Sequence, residues 1–246
     1  MEKSILKLST IALLACATMV SCKKDNTTTS SSGAEVAFAL TADNATSTLG
    51  ITSANGPVVN ATAAVNASIN WTSAIANISR FKLEAKKNGI ETEIHSKNIS
   101  GLDLFSLNQA SITALIDTGT YSEIEIKVLL VKSSGTDIPL TVKGVFTSAG
   151  GAVVPIEFDY NDNAILKSEV ENVTVDGTSD VTAKLSLHLN KLLSRISSAE
   201  IDAATRTNGT IIISNSSNAA IYNKVIANII LAFEARGFEK HTRKGR

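Results

Sequence analysis

The chain has 246 residues, with 23 basic and 23 acidic side chains and therefore no formal net charge at pH 7. This balance argues against a nucleic-acid partner, because binding phosphates requires a basic surface. The three histidines lie in distant segments, far from the two cysteines near the amino terminus, and do not suggest a metal site; no G-x-S-x-G motif suggests a serine nucleophile. We therefore predict that the protein is not an enzyme and has no cofactor.

Residues 1–21 have the pattern of a secretory signal peptide. Lys3 and Lys7 make the start basic, and an apolar run follows at residues 8–20. A membrane-spanning helix needs about 20 apolar residues, so this shorter run fits the central part of a signal peptide better. We expect the chain to be exported.

Cys22 follows Met19, Val20 and Ser21, in the order apolar, apolar, small, cysteine. This order resembles the lipobox of bacterial lipoproteins, in which the cysteine is acylated and the signal is removed before it. Cys16 is the rival site, but the apolar run continues beyond it, so Cys22 is preferred. Two or three acyl chains hold a protein firmly on a bilayer, and the membrane is then a partner through this lipid. The alternative is a secreted protein with a chance cysteine at this position.

Residues 22–33 predict an acylated cysteine followed by a disordered tether, because the stretch "KKDNTTTSSSG" contains no apolar residue. Fully extended, its 11 residues reach roughly 30 Å. Lys24 and Asp25 faintly resemble the charged export tags of surface lipoproteins in some Gram-negative bacteria. We expect a lipid-anchored protein of the cell envelope, on the outer membrane. Its periplasmic and its surface face both fit the sequence.

Residues 34–190 predict a β-sandwich domain. Apolar and polar residues alternate at residues 65–72, 80–86 and 123–130, as they do in half-buried strands. Asn88 and Gly89 predict a tight hairpin turn with positive φ angles between two of these strands. Further strands are predicted at residues 138–142, 153–160, 173–175 and 181–189. Seven or more short strands at such spacing are typical of a sandwich or a barrel.

Residues 191–237 predict a helix, a strand and a second helix. Ser197 and Glu200 form a capping-box pattern, and "TIIIS" has the composition of a buried strand. The last helix carries an apolar stripe that includes Ile221 and Phe233, and Gly237 is its expected end. We expect the helix to cover an open end of the sandwich; the alternative is an apolar face offered to a partner subunit. Residues 238–246 are expected to form a solvated basic tail, with anionic lipid as the alternative contact.

Five segments are similar, in order, to the β-sandwich domain of an uncharacterised bacterial lipoprotein family of unknown function. They are "RFKLEAKKNGIETEI", "GLDLFSL", "DTGTYSEIEIKVLLV", "IPLTVKGVF" and "VPIEFDYNDNAI", within residues 60–190. Gly119 and Tyr121 match the Gly-Thr-Tyr turn of that family, and Asp159 matches its late apolar-Asp segment. The early Leu-Thr-Asp-Ala-Pro signature is replaced by "LTADNAT", which has no proline. The resemblance implies an immunoglobulin-like or transthyretin-like sandwich and implies no activity.

Asp159, Asn161 and Asn163 repeat the first three ligand positions of a calcium loop. Position 6 of the loop, however, is Ala164 and position 12 is Val170, so the required glycine and bidentate acid are missing. We interpret the segment as an Asx-rich turn after a strand and do not predict a metal. His188 is likewise interpreted as an exposed residue on the polar side of a strand.

Two functional classes fit these observations. The first is a non-catalytic binding or adhesion module whose loops engage an unknown protein or glycan ligand; the alternative is a structural subunit of an envelope or surface assembly. Glycan binding favours an aromatic platform, and the single tryptophan, Trp71, ends a patterned strand, where it more often fills the core. Lys82, Glu84, Glu123 and Glu125 would discourage edge-to-edge assembly if their strands lie at sheet edges. The binding module is therefore preferred.

Overall fold

The computed structural model describes residues 33–43, 45–49, 66–96, 98–106 and 112–242. The predicted mainly-β class is confirmed, because these residues form fifteen strands and three helices. The strands are β1 (Ala34–Asp43), β2 (Thr46–Thr48), β3 (Ser68–Ile78), β4 (Arg80–Lys87), β5 (Ile90–His95), β6 (Ile99–Asp103), β7 (Ile112–Ile116), β8 (Gly119–Leu130), β9 (Leu140–Thr147), β10 (Val153–Tyr160), β11 (Ala164–Val175), β12 (Ser179–His188), β13 (Arg206–Thr207), β14 (Thr210–Ile213) and β15 (Phe233–Thr242). The helices are α1 (Leu189–Leu192), α2 (Ser198–Asp202) and α3 (Ala219–Ala232).

The strands are arranged in three sheets. The first sheet has the order β15-β12-β1-β7, and the third has the order β11-β8-β4-β5. The second sheet has the order β13-β14-β10-β9-β3-β2, and β6 also pairs with β3. Most neighbours are antiparallel, but β1 runs parallel to β12 and β10 runs parallel to β14. The first strand of the described residues, β1, therefore lies inside its sheet, between two later strands.

One hydrophobic core is shared by the sheets and helices. On β4, Phe81 and Leu83 are buried, while Lys82 and Glu84 alternate with them on the opposite face. This alternation follows from the two-residue period of a strand. The ring of Phe38 in the first sheet lies 4.6 Å from the ring of Phe81 in the third sheet, measured between centroids. The two sheets thus meet face to face, as the layers of a sandwich do.

The C-terminal helix α3 covers the core as expected from its apolar stripe. Ile221, Tyr222, Val225 and Ile229 are buried, and the Tyr222 ring lies 6.1 Å from the ring of Phe158 on β10. Because these side chains face inward, most of the stripe is not available to a partner subunit.

The predicted end of this helix at Gly237 is wrong, and residues 238–242 of the predicted tail belong to a strand. The helix ends at Ala232, and the chain continues as β15, antiparallel to β12. Gly237 falls at a register shift, where Ala183 pairs with Phe238 and Lys184 pairs with Arg236, so it is the extra residue of a β-bulge. The physical reason is that the open side of β12 offers backbone hydrogen bonds, which a solvated tail would leave unused. Residues 243–246 lie outside the described part.

The turn between β4 and β5 is made by Asn88 and Gly89, at φ angles of 53° and 77°. The flanking residues Lys87 and Ile90 pair directly across the hairpin. Two consecutive positive φ angles are the signature of a two-residue type I′ turn, which matches the twist of antiparallel strands. The turn therefore prefers Asn-Gly because these two residues adopt positive φ angles more readily than others.

We expect Gly89→Val to lower the free energy of unfolding by about 1–2 kcal/mol, because a β-branched residue is strained at a positive φ angle. A new Cβ would meet no atom within 4 Å, so the effect isolates backbone strain. Thermal or denaturant unfolding measures it, and Gly150→Val, at a glycine without a positive φ angle, is the matched control. Equal stability of the two variants would contradict the turn assignment.

Candidate functional site

Gly119 and Tyr121, the other two predicted turn residues, lie where β8 begins. The Tyr121 hydroxyl donates to the Asp117 carbonyl oxygen at 2.7 Å. The Lys87 ammonium group donates to the Thr118 carbonyl oxygen at 2.5 Å and lies 5.7 Å from the Tyr121 ring centroid. Gly119 has a φ angle of 143°, at which a residue with a Cβ is strained, so this position favours glycine. Since Lys87 immediately precedes the Asn-Gly turn, all four predicted turn residues meet at one end of the third sheet, here called the proximal end.

The described chain begins at this same proximal end. Ala34, the first residue of β1, pairs with Ile116, three residues before β8 starts. From Gly119 to Leu130, β8 then runs about 36 Å at roughly 3.3 Å per residue. The opposite end of the third sheet, here called the distal end, is therefore far from the start of β1.

Two recesses lie side by side at the distal end. The apolar recess has a volume of about 380 Å³ and is lined by Leu129, Leu130, Val131, Asn163, Ala164 and Ile165. The polar recess has the same volume and is lined by Asn77, Ile78, Ser79, Asn98, Ser100, Val131, Lys132, Ser133, Ser134 and Asp137. Val131 belongs to both linings and is 49% exposed. A ligand with one apolar and one hydrogen-bonding part could therefore occupy both recesses at once.

The loop after β8 is held by three asparagine side chains. Asn161 Oδ1 accepts from the Ser133 amide at 2.8 Å, and its Nδ2 donates to the Ser133 carbonyl oxygen at 2.9 Å. Asn163 Oδ1 accepts from the Lys132 amide at 2.8 Å. At the far end of the loop, Asn77 Nδ2 donates to the Ile138 carbonyl oxygen at 2.7 Å. Because both ends are fixed, the recess walls need little ordering when a ligand binds.

Lys132, Ser134 and Asp137 face the polar recess from this loop. Among the residues that the structure describes, their side chains make no hydrogen bond or ion pair. Their donors and acceptors are thus available to a ligand. The linings contain no aromatic residue, and Trp71 is a core residue whose Nε1 donates to Ser47 Oγ at 3.2 Å. An aromatic platform for sugars is therefore not part of either recess.

The side-chain oxygens of the segment from Asp159 to Asn163 accept hydrogen bonds from other parts of the protein. In addition to the two asparagine contacts, Asp159 Oδ1 accepts from Thr141 Oγ1 at 3.3 Å and Asp162 Oδ2 accepts from the Tyr222 hydroxyl at 2.6 Å. Burial, with the neighbouring Glu157 as a second cause, raises the pKa of Asp159 to about 6. Oxygens engaged in this way do not converge on one point, so the interpretation as an Asx-rich turn fits the structure better than a calcium loop.

The outer face of the third sheet carries two rows of opposite charge, here called the charge ladder. One row is His95, Lys82, Lys127 and Lys167, which pair across β5, β4, β8 and β11. The next row, two residues along, is Glu93, Glu84, Glu125 and Glu169. The lysines bond diagonally as well as along their own strands. Three lysines thus face four glutamates, and His95 adds a further positive charge only when it is protonated.

The centre of the ladder is the most covered part. Lys127 Nζ lies 2.7 Å from both Glu84 and Glu125, and Lys167 Nζ lies 2.6 Å from Glu125. Glu125 is only 5% exposed, although it points away from the core. The hydrogen bonds that Lys127 and Lys82 donate lower the pKa of Glu84 to about 2, and those that Lys127 donates to Glu125 and Glu84 raise the pKa of Lys127. These contacts hold the charges of both signs in place on this face.

One acidic group meets the geometric requirement for a metal site in the described residues. Oxygens of Glu84, Glu91 and Glu93 lie within 4.8 Å of one another. Lys82, however, contacts both Glu84 and Glu93, so the negative charge is already balanced by protein. We infer no metal site from this group.

The interpretation of His188 as an exposed strand residue is wrong. The residue is 3% exposed, because β12 is covered on both faces where α1 begins. His188 pairs in register with Asp43 on β1, and its Nδ1 contacts the Asp43 carboxylate. The contact joins two strands that are 145 residues apart in the sequence.

No family model, no curated protein and no solved structure matches this chain. The resemblance to an uncharacterised lipoprotein family therefore stays a prediction. Cys22 and the preceding signal segment lie outside the described residues. In the described part of the chain, no helix combines the length and the hydropathy that crossing a membrane requires.

The recess residues were not found from the sequence. The stretch "SSGTD" predicts a turn, but no local pattern indicates that its loop meets Asn77 and Asn98 from other strands. Asn161 and Asn163 are the sequence feature that points toward this loop, since asparagine side chains at a strand end commonly form hydrogen bonds with a neighbouring backbone.

We expect Glu84→Gln to lower the free energy of unfolding at pH 7 by about 1–2 kcal/mol, because Lys127 and Lys82 lose a charged partner. The folded pKa of Glu84, about 2, lies below its ordinary value of 4.5. The wild-type advantage is therefore complete above pH 4.5 and is lost as the pH falls toward 2. Denaturant unfolding at pH 7, 4 and 2.5 measures this, with Glu171→Gln outside the ladder as control. A difference that grows on acidification would contradict the ladder contacts.

Proposed function

We propose that this chain is a non-catalytic binding or adhesion module of the cell envelope, anchored to the outer membrane by lipid on Cys22. The observation that carries the proposal is the position of the two recesses. They lie at the distal end, about one full length of β8 away from Ala34. In this proposal the tether joins the body at Ala34, at the end of the third sheet opposite the recesses.

The chemistry of the recesses supports a ligand with two different parts. Leu129, Val131 and Ile165 supply apolar contact on one side, and Ile165 is 61% exposed without a ligand. Lys132 and Asp137 supply one charge of each sign on the other side. A protein segment offers such a combination of side chains, whereas a glycan would gain little here because the linings lack aromatic rings.

The body that carries the recesses is, in this proposal, an immunoglobulin-like or transthyretin-like sandwich of the lipoprotein family that residues 60–190 resemble. Support comes from the face-to-face contact of the first and third sheets around one core. In such folds, binding usually resides in loops at one end of a rigid scaffold.

We expect Cys22→Ser to abolish membrane retention, because the acylated thiol supplies the membrane affinity in this proposal. Detergent phase partitioning of cell extracts measures it. Cys16→Ser is the matched control, and it should still partition into the detergent phase. A Cys22→Ser protein that still enters the detergent phase would refute the anchor.

We expect Val131→Lys to reduce ligand capture by the full chain at least tenfold, because it places a charge in the wall between the recesses. Cross-linking in intact cells followed by affinity purification measures the captured material. Val153→Lys, at another exposed valine that lies outside the recesses, is the control and should capture wild-type amounts. Equal capture by both variants would place the binding surface elsewhere.

A further inference from the structure

Three of the four glutamates of the charge ladder each contact two basic side chains. Glu93 contacts Lys82 and His95, and Glu84 contacts Lys82 and Lys127. Glu125 follows the same rule, since it contacts a cation on its own strand and one on the next.

Glu169 is the exception among the four glutamates. Among the described residues, its carboxylate meets one cation only, Lys167, at 3.4 Å. Both residues lie on β11, which is the edge strand of the third sheet, and their side chains are 38% and 57% exposed. A further strand beside β11 could supply the missing cation. We infer that this strand is β11 of a second copy of the chain, paired antiparallel about a two-fold axis at Ser168.

Charge complementarity selects this partner and this register. A two-fold axis at Ser168 places Lys167 opposite Glu169 of the second copy and Glu169 opposite its Lys167. Opposite charges directly across two strands are stabilising, and like charges are destabilising. An axis at Lys167 or at Glu169 would instead set like charges against each other. An axis at Glu169 would also pair Lys167 with Glu171 of the second copy, but only the register centred on Ser168 combines two attractive pairs with no like-charge pair.

The inner face of the strand fits the same register. Leu166, which is buried, would lie opposite Val170 of the second copy, which is partly buried in the single chain. The pairing run is bounded by Asn172, whose φ angle of 55° interrupts the extended backbone. Residues 165–171 therefore supply seven pairs, enough to join the two third sheets into one sheet of eight strands.

The edge charges do not contradict this pairing. Charged residues on edge strands normally prevent pairing with unrelated strands. On β11, however, Lys167 and Glu169 alternate in sign, so they repel most strands and attract their own copy. Closed two-fold dimers are also the commonest oligomers of soluble domains. β5, the other edge of this sheet, is only six residues long.

The mass of the full chain in detergent solution tests the inference. Analytical ultracentrifugation should show a dimer whose dissociation constant rises about tenfold or more in Glu169→Lys, since two attractive pairs become repulsive. Glu171→Lys makes the same charge change two residues away, opposite Ile165 of the second copy, and should shift the constant by less than about twofold. A monomer at every concentration, an open-ended series of masses, or equal effects of both variants would overturn the inference.

A cross-link tests the register itself. In this register the two Ser168 residues face each other at about 4.5–5.5 Å between Cα atoms, which is within disulfide range. The full chain with Cys16→Ser, Cys22→Ser and Ser168→Cys should therefore form a covalent dimer on oxidation. Val170→Cys in the same background lies opposite Leu166 and should remain uncross-linked. If the Ser168→Cys variant is a dimer and melts like the parent protein but forms no disulfide, the register is wrong.

Discussion

Strand β8 pairs with β11 over its whole length and with β4 over most of it, and these two registers determine the third sheet. Ile124, Ile126 and Val128 are fully buried on one side of β8. A shift of either register by one residue would turn that apolar set toward water, so the pairing is strongly specified. The length of the same strand separates the proximal end from the two recesses. Its outward residues Glu125 and Lys127 stand at the centre of the charge ladder.

The charge ladder shows how a face that carries both signs of charge can favour one pairing partner. Exposed ion pairs taken singly contribute little to stability, because water screens them and long side chains lose freedom. Here Glu84 and Glu125 each meet two lysines and are covered by lysine stems, so their charges are fixed in position. Positive and negative side chains alternate along each strand of the ladder, and only a strand with the complementary order of charges pairs with it favourably.

Local chemistry explains which predictions could be made from the sequence. Asn88 and Gly89 predict a turn because positive φ angles are a property of those two residues, and β4 and β5 pair around it. The capping box at Ser197 and Glu200 is also local, and both of its hydrogen bonds are present. Alternating patterns predicted most strands for the same reason. These features need no knowledge of distant parts of the chain.

Features that depend on distant pairing could not be predicted. Residues 233–242 resemble a helix end and a basic tail, and they become a strand because β12 has an open side. His188 lies on a polar stretch, yet β1 and α1 bury it. The recesses combine β3, β6, β8 and the loop after β8, which no single pattern connects. In each case the deciding partner is far away in the sequence.

The place of β1 inside the first sheet has a consequence for how the molecule matures. Its main neighbour, β12, lies 145 residues further along, as the pair Val36 and Val181 shows. Contacts of such high sequence separation slow folding, because a long loop must close before the strands meet. A chain that is synthesised from its amino terminus holds β1 without its parallel neighbour until 145 further residues have followed. During that interval the first strand is the segment most in need of protection from premature association.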